Sequence, residues 1–212
     1  MVESDSALHS FVKVMLTGDT ERFSRLLSES PNLARARFQA GATRQSAKTF
    51  FLEQIARYIY AGDTALHIAA AAYQAQIVTK LMAAGADVHA RNRRGQTPLH
   101  AASCGSPGSH FWNPSAQAAT ISRLVEAGAD PNALDKSGVS PLHKAIRTRC
   151  AAAVGTLLDL GADPLLKNKS GSTPLLLARL NSGRGGTGTE QAKVQQQEIL
   201  RLLEVRAPMQ RS

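Results

Sequence analysis

Three histidines recur in the chain at the same place in a repeated motif. His67, His100 and His143 each follow a leucine and lie three positions after a threonine or serine. A row of imidazole side chains could supply general bases or metal ligands. However, no Ser–His–Asp or Cys–His arrangement accompanies them that would support a nucleophile. The histidines alone therefore do not indicate an enzyme.

The two cysteines are the next candidates, because Cys104 and Cys150 could join His100 and His110 around zinc. Structural zinc sites usually have paired ligands at short, fixed spacing. Cys104 and His110 are six residues apart across a segment with Gly and Pro, and Cys150 has no near partner. We expect two buried thiols, no bound metal and no cofactor. Two cysteines are also too few for a disulfide framework, which favours a cytoplasmic setting.

The last candidates for a reactive or ligand-binding site are a glycine-rich run and three aspartates. The run GRGGTG from Gly183 lacks the preceding strand and the Gly-Lys-Ser/Thr ending of a phosphate-binding loop. Asp87, Asp130 and Asp163 each follow a Gly-Ala pair, which is more typical of turn residues than of an acid/base set. We therefore predict no catalytic residues.

The elements that position these residues repeat along the chain. The motif GDTALHIAA returns as GQTPLHAAS, GVSPLHKAI and GSTPLLLAR, starting at Gly62, Gly95, Gly138 and Gly171. The first and third steps are 33 residues long, and the second is 43. A fixed period of this kind indicates a repeat architecture.

The residues of each repeated segment predict two short helices. Thr97 can cap a first helix whose first position suits Pro98. A second apolar run, such as IVTKLMAA, ends at Gly85, where glycine fits the left-handed residue that closes a helix. One such helix pair cannot bury its apolar face alone, so neighbouring pairs must stack.

These residues resemble the ankyrin repeat. The match rests on four TPLH-like motifs, three GAD motifs and the 33-residue step, and it covers roughly Gly62 to Ala207. It implies an all-α solenoid of helix-turn-helix units with projecting β-hairpin-like loops, in which each motif histidine hydrogen-bonds locally and ties one unit to the next. The fourth unit departs from the pattern, with Leu176 in place of histidine and Arg206 in place of the closing glycine, as in a capping unit.

The repeats divide the chain into five units and a tail. We expect a capping helix pair with a long insert over 1–61 (residues 1–6 loose), then repeats over 62–94, 95–137 and 138–170, a C-terminal capping repeat over 171–207 and a tail over 208–212. The second repeat carries ten additional residues, and the capping repeat carries a glycine-rich insertion.

The insert before the first repeat contains TFFLEQIARYIY, whose spacing predicts a helix. Its apolar face would consist of Phe51, Ile55, Tyr58 and Ile59. This face either packs onto the first stacked unit or forms one wall of a binding site.

The other two insertions, residues 103–117 and 181–191, fall at the same helix-to-helix turn two units apart. We therefore expect them to form a lobe on one edge of the array. The first of them holds Phe111 and Trp112. Trp112 either folds back onto the helix ends or contacts a partner, because an exposed aromatic is costly unless it is covered.

The resemblance implies that the loop tips and first helices line a concave face. Carried over to this chain, the tips are Arg91, Arg93, Arg94, Gln96, Leu134, Lys136, Val139, Lys167, Lys169 and Ser172. Six of these ten are basic and the net charge is +9, a combination that would attract an acidic protein face. We predict a monomeric, non-catalytic, cytoplasmic scaffold that binds another protein with these tips and with Phe111 and Trp112.

Two alternatives remain open for the basic stripe. It could serve a nucleic-acid-associated or phosphate-recognising regulator, although the chain lacks the interleaved aromatics of a single-strand binder. It could also be a solvated surface that keeps the array soluble. Membrane insertion is not expected, since the longest uncharged stretch, Thr64 to Thr79, is too short and too polar to cross a bilayer.

Overall fold

The structure is a computed structural model that describes residues 3–183 and 190–206. Within these ranges the chain forms antiparallel helix pairs that follow one another along a row. The helices are α1 (Glu3–Leu16), α2 (Thr20–Glu29), α3 (Ala65–Ala71), α4 (Ala75–Ala83), α5 (Pro98–Ala102), α6 (Pro114–Glu126), α7 (Pro141–Arg147), α8 (Ala151–Asp159), α9 (Pro174–Gly183) and α10 (Glu190–Arg206). The prediction of an all-α solenoid is confirmed.

The helix ends follow from residues that the sequence analysis identified. Pro98 and Pro141 lie in the first turns of α5 and α7, where a missing amide hydrogen costs nothing. The Asp19 carboxylate accepts a hydrogen bond of 2.9 Å from the Arg22 amide and starts α2. Gly85, just past the end of α4, has a φ of +87°, which only glycine adopts without strain.

The helices stack in two rows. The first helices of successive pairs, α3, α5, α7 and α9, pack against one another, and the second helices α4, α6, α8 and α10 form the row behind them. Between the rows lies one continuous core made mainly of Ala, Leu, Ile and Val. Small side chains let the thin helices approach closely, which explains the low aromatic content of 5%.

The loops between pairs form narrow hairpins that connect in series. Each tip donates one backbone hydrogen bond to the tip before it: Arg93 N to Ala61 O at 2.7 Å, Lys136 N to Arg94 O at 3.0 Å and Lys169 N to Ser137 O at 3.1 Å. The hairpin tips therefore form a continuous edge along the array.

The insert before the first repeat contains a short β-hairpin, and the predicted helix is wrong. Strand β1 (Phe51–Leu52) pairs antiparallel with β2 (Arg57–Tyr58). A 3₁₀ turn, Glu53–Ile55, separates them and ends at Ala56, whose φ is +45°. A left-handed residue at this place ends any helix.

Hydrogen bonds to residues outside the hairpin explain why the extended form prevails. Ile59 N donates to Phe50 O and Ala42 N donates to Ile59 O, both at 2.8 Å. Phe50, Leu52 and Ile59 are buried in the core. Aromatic and β-branched side chains suit an extended chain, so the helical spacing of the segment does not decide its structure.

Two further boundaries differ from the predictions. Helix α1 begins at Glu3, so residues 3–6 are not loose: the buried Asp5 carboxylate accepts hydrogen bonds from Gln39 N at 2.8 Å and Ala40 N at 3.0 Å. In the second insertion the loop ends at Asn113, because this residue caps α6 and Pro114 opens the helix.

The central part of the third insertion, residues 184–189, lies outside the described residues. The lobe expected from it and the Trp112 loop stays a prediction. In the described part of the chain, no helix is both long and apolar enough to cross a membrane.

Candidate functional site

The three motif histidines join neighbouring repeats and take no part in a reactive cluster. His67 Nε2 donates to Gln96 O at 3.0 Å, His100 Nε2 to Val139 O at 2.9 Å and His143 Nε2 to Ser172 O at 3.0 Å. In each case the carbonyl belongs to the next hairpin along the array. All three side chains are fully buried. The expectation that they tie one unit to the next is confirmed.

The hydrogen bonds also fix the protonation state of each ring. A carbonyl oxygen can only accept, so Nε2 of His100 carries the proton. Its Nδ1 is then free to accept from Thr97 N at 3.2 Å and from Thr97 Oγ1 at 2.9 Å. Burial lowers the pKa of His100 to about 4 and also lowers the pKa values of His67 and His143. The imidazoles are therefore neutral structural groups at neutral pH.

The other candidates for chemistry also have structural roles. Asp87, Asp130 and Asp163 each accept a hydrogen bond of 2.7 to 2.9 Å from the backbone amide two residues ahead, as in Asx turns. Cys150 is buried, and burial raises the pKa of its thiol to about 11. Among residues 3–183 and 190–206, no group of three or more His, Cys, Asp or Glu side chains is placed to hold a metal ion.

The most distinctive surface feature is an open groove of about 350 Å³ on the concave side of the array, which we call the insert groove. The β-hairpin forms one wall, the first helices form the floor, and the Phe111 loop and the hairpin tip that carries Arg94 complete the lining. Its lining residues are Ile55, Ala56, Arg57, Tyr58, Tyr60, Ala71, Tyr73, Arg94, Gln96, Ala101, Cys104, Gly105, Ser106, Phe111 and Lys144. None of these described residues is acidic.

Arg57 gives this groove a positive charge that is only loosely compensated. Its side chain is 15% exposed, and Nη2 lies 3.9 Å from Asp63 Oδ2. The Asp63 oxygens already accept shorter hydrogen bonds of 2.8 Å from Tyr60 N and Asn92 Nδ2. The Nε and Nη2 atoms of Arg57 have no hydrogen-bond partner. A guanidinium in this condition favours a nearby anion.

A second depression of about 260 Å³ adjoins the groove, and we call it the tip depression. Its lining residues are Arg94, Gln96, Asp135, Lys136, Ser137, Val139, Lys144 and Arg147. Asp135 is its one described acidic residue. Partial burial alone would raise the pKa of Asp135, but hydrogen bonds from the amides of Val139 and Ser137 and from Gln96 lower it.

The predicted arginines of the first tip differ in their availability. Arg91 Nη1 donates to Gly95 O at 2.9 Å and to Leu134 O at 2.7 Å, so it links two hairpins. Arg93 Nη2 donates to Ala42 O of the insert. Arg94 lies over the Tyr60 ring, 4.9 Å from its centroid, and lines both the groove and the depression. Only Arg94 of these three lines the concave surface.

The remaining predicted residues fall into two groups. Val139 is 4% exposed and Gln96 is 7% exposed, and both serve mainly through hydrogen bonds inside the array. The side chains of Lys136, Lys167 and Lys169 are exposed. Lys136 lines the tip depression, whereas Lys167 and Lys169 line neither this depression nor the insert groove.

The two aromatic residues of the second insertion have separate positions. Phe111 lines the insert groove. Trp112 is half-buried against the core, and its Nε1 donates to Gln117 Oε1 at 3.0 Å. The structure thus agrees with the alternative in which Trp112 folds back onto the helix ends.

Tyr58, which the sequence analysis placed on a face that could form one wall of a binding site, lines the insert groove. Sequence reasoning missed Arg57, Tyr60, Lys144 and Arg147. A signal existed for Lys144, which directly follows His143 where the earlier repeats have Ile68 and Ala101. Arg57 and Tyr60 had no such signal, because neither belongs to the apolar face of the helix that the spacing predicts.

Comparison with known families agrees with the architecture. The model described as "Ankyrin repeats (3 copies)" matches residues 18–110, "Ankyrin repeat" matches 94–136, and "Ankyrin repeats (many copies)" matches 124–178. A search of curated proteins found no match. The three overlapping matches extend from residue 18 to residue 178 and coincide with the stacked helix pairs, and the chain belongs to the ankyrin repeat family.

Proposed function

We propose that this chain is a non-catalytic interaction module whose concave face and hairpin tips bind an acidic surface of another protein. Ankyrin repeats are generally protein–protein interaction modules. Their rigid stacking presents a large surface without the entropy cost of ordering it on binding.

The charge imbalance of the concave face carries this proposal. The insert groove and the tip depression are lined by five basic side chains, Arg57, Arg94, Lys136, Lys144 and Arg147. Asp135 is the one carboxylate among their described lining residues, and its hydrogen bonds already engage it. A concave surface whose charges all have one sign concentrates its electric field, which accelerates the encounter with a partner of opposite charge.

Capture of partners from native lysate with charge-reversed variants tests the proposal. Lys136 and Lys169 are the residues to reverse, because their exposed side chains form no hydrogen bond or ion pair with the described residues. The Lys136→Glu/Lys169→Glu variant should lose most acidic proteins that the wild type retains, and quantitative mass spectrometry measures the loss. Weakening of about tenfold is expected for two reversed charges at a binding surface.

A matched control carries the same change of charge on the outer helices. Arg123 on α6 and Lys193 on α10 are exposed and pair only with nearby Glu126 and Glu190. The Arg123→Glu/Lys193→Glu variant should retain the wild-type partners and melt at nearly the same temperature. Equal recovery by both double variants would refute binding through the tips.

The nucleic-acid alternative gains no support from the described residues. The basic side chains surround two local depressions and do not follow a helix that could enter a groove of a duplex. Treatment of the lysate with nuclease before capture separates the two functions, because protein partners of this surface should be recovered undiminished.

A further inference from the structure

The two segments that depart from the regular repeat meet at the insert groove. The β-hairpin contributes Tyr58, which is 40% exposed, and the loop of the second repeat contributes Phe111. Between them the floor consists of small side chains, Ala71 and Ala101. An exposed aromatic rim above a small-residue floor forms a slot that an apolar side chain can fill.

Positive charge surrounds the same slot. Arg57, Arg94 and Lys144 line it, and no described lining residue is acidic. The Lys144 ammonium forms no hydrogen bond or ion pair with the described residues. Among the described residues, the one acidic partner of Arg57 is Asp63, at 3.9 Å. An occupant that brings carboxylates close to these groups would supply the missing charge.

The size of the groove limits the occupant. A volume of about 350 Å³ lies near the lower end of ligand-sized pockets. It admits one or two side chains with their backbone, which a short extended segment can insert. The convex surface of a folded domain would not reach the Ala71–Ala101 floor between the aromatic side chains.

We infer that the insert groove binds a short linear segment of a partner protein that carries an apolar or aromatic side chain flanked by acidic residues. This inference rests on the proposed interaction function and adds the chemistry of the partner. The apolar side chain occupies the slot between Tyr58 and Phe111, and the flanking carboxylates lie near Arg57, Arg94 and Lys144.

Fluorescence anisotropy with three labelled nonapeptides tests the inference. The first probe has one phenylalanine between two pairs of acidic residues, the second has alanine in place of phenylalanine, and the third has neutral amides in place of the carboxylates. The first should bind about tenfold more tightly than either of the others, because each lacks one of the two recognised groups.

Single substitutions locate the binding site on the chain. Lys144→Gln and Phe111→Ala should each weaken the first probe by about three- to tenfold. Arg123→Gln, a change on the outer helix α6, should leave its affinity unchanged. Melting curves for all variants confirm that the fold is retained. Equal affinity for the three peptides, or unchanged binding by both groove variants, would overturn the inference.

Two further outcomes separate this inference from the proposed function. If none of the peptides binds but lysate partners are still lost with Lys136→Glu/Lys169→Glu, the module binds folded surfaces and the inference is wrong while the function stands. If a labelled nine-nucleotide oligothymidylate binds as tightly as the first peptide, the groove recognises anions in general and the inference is also wrong. Tight, phenylalanine-dependent binding that Lys144→Gln weakens supports it.

Discussion

At the scale of single residues, the histidine motif works because both ring nitrogens have backbone partners. His100 accepts at Nδ1 from the start of its own helix and donates at Nε2 to the carbonyl of Val139 in the next hairpin. A metal ligand or general base needs one nitrogen free. The motif histidines, which first suggested general bases or metal ligands, therefore use both ring nitrogens in the contacts that hold neighbouring repeats in register.

This arrangement predicts a loss of stability in mild acid. Burial lowers the pKa of His100 to about 4, whereas it is about 6.5 in the unfolded chain. Between these values the unfolded chain binds a proton that the folded chain does not, so the free energy of unfolding decreases as the pH falls. His100 alone should account for about 2 kcal/mol between pH 7.5 and pH 5, which urea denaturation measures.

The variant His100→Gln provides the comparison, because glutamine does not titrate. It should be less stable than wild type at pH 7.5 by about 1–2 kcal/mol and should show a smaller difference between the two pH values. Carboxylates contribute equally to both proteins and cancel in the comparison. Identical pH dependence of wild type and variant would contradict a neutral, proton-excluding His100.

The basic tips show where sequence reasoning at this scale ends. The positions of Arg91, Arg93 and Arg94 on a hairpin tip could be predicted from the repeat pattern. Their availability could not, because Arg91 bonds to Leu134 O and Arg93 to Ala42 O, 43 and 51 residues away along the chain. Contacts of this range depend on the insert and on the next repeat, which no local pattern describes.

At the scale of elements, the β-hairpin shows how a periodic pattern can mislead. The spacing of Phe51, Ile55 and Ile59 fits one face of a helix, yet the buried side chains are Phe50, Leu52 and Ile59. The decisive interactions are the backbone hydrogen bonds from Ile59 N to Phe50 O and from Ala42 N to Ile59 O. The regular helices, by contrast, could be predicted because their caps and closing glycines lie within the motif itself.

Two glycine-to-alanine substitutions, one expected to lower the stability and one expected to raise it, test the packing of these elements. A Cβ at Gly41 would collide with the backbone of Tyr60 and Ala61, so Gly41→Ala should destabilise the protein by about 1–3 kcal/mol. A Cβ at Gly155 in α8 would meet only Leu202, at 3.5 Å. Gly155→Ala should stabilise by about 0.5–1 kcal/mol, because alanine favours the helix. Thermal and urea unfolding measure both changes.

The variants Gly41→Ala and Gly155→Ala control for each other, since each adds one methyl group. If Gly41→Ala were neutral, the beginning of the insert would not pack closely against its end at Tyr60 and Ala61. If Gly155→Ala were destabilising, α8 and α10 would lie closer together than the structure shows.

At the scale of the whole molecule, the described part of the array is a set of like contacts between successive helix pairs. The 33-residue period made the stacking predictable, because one pair cannot bury its own apolar face. A binding-site wall formed by the insert was one expected alternative, but its meeting with the Phe111 loop could not be predicted, since it depends on where two irregular insertions converge. The last described helix pair differs from those before it: Leu176 replaces the motif histidine and is 44% exposed.

The exchange of histidine for leucine in the last described helix pair can be tested. Each motif histidine is buried and donates to a carbonyl of the following hairpin, as His143 does to Ser172 O, whereas the Leu176 side chain is 44% exposed. His143→Leu should therefore cost about 2 kcal/mol, since it leaves buried polar groups without partners. Leu176→His should change stability by less than about 0.5 kcal/mol. Urea denaturation measures both, and a marked stabilisation by Leu176→His would mean that a further acceptor covers this end of the array.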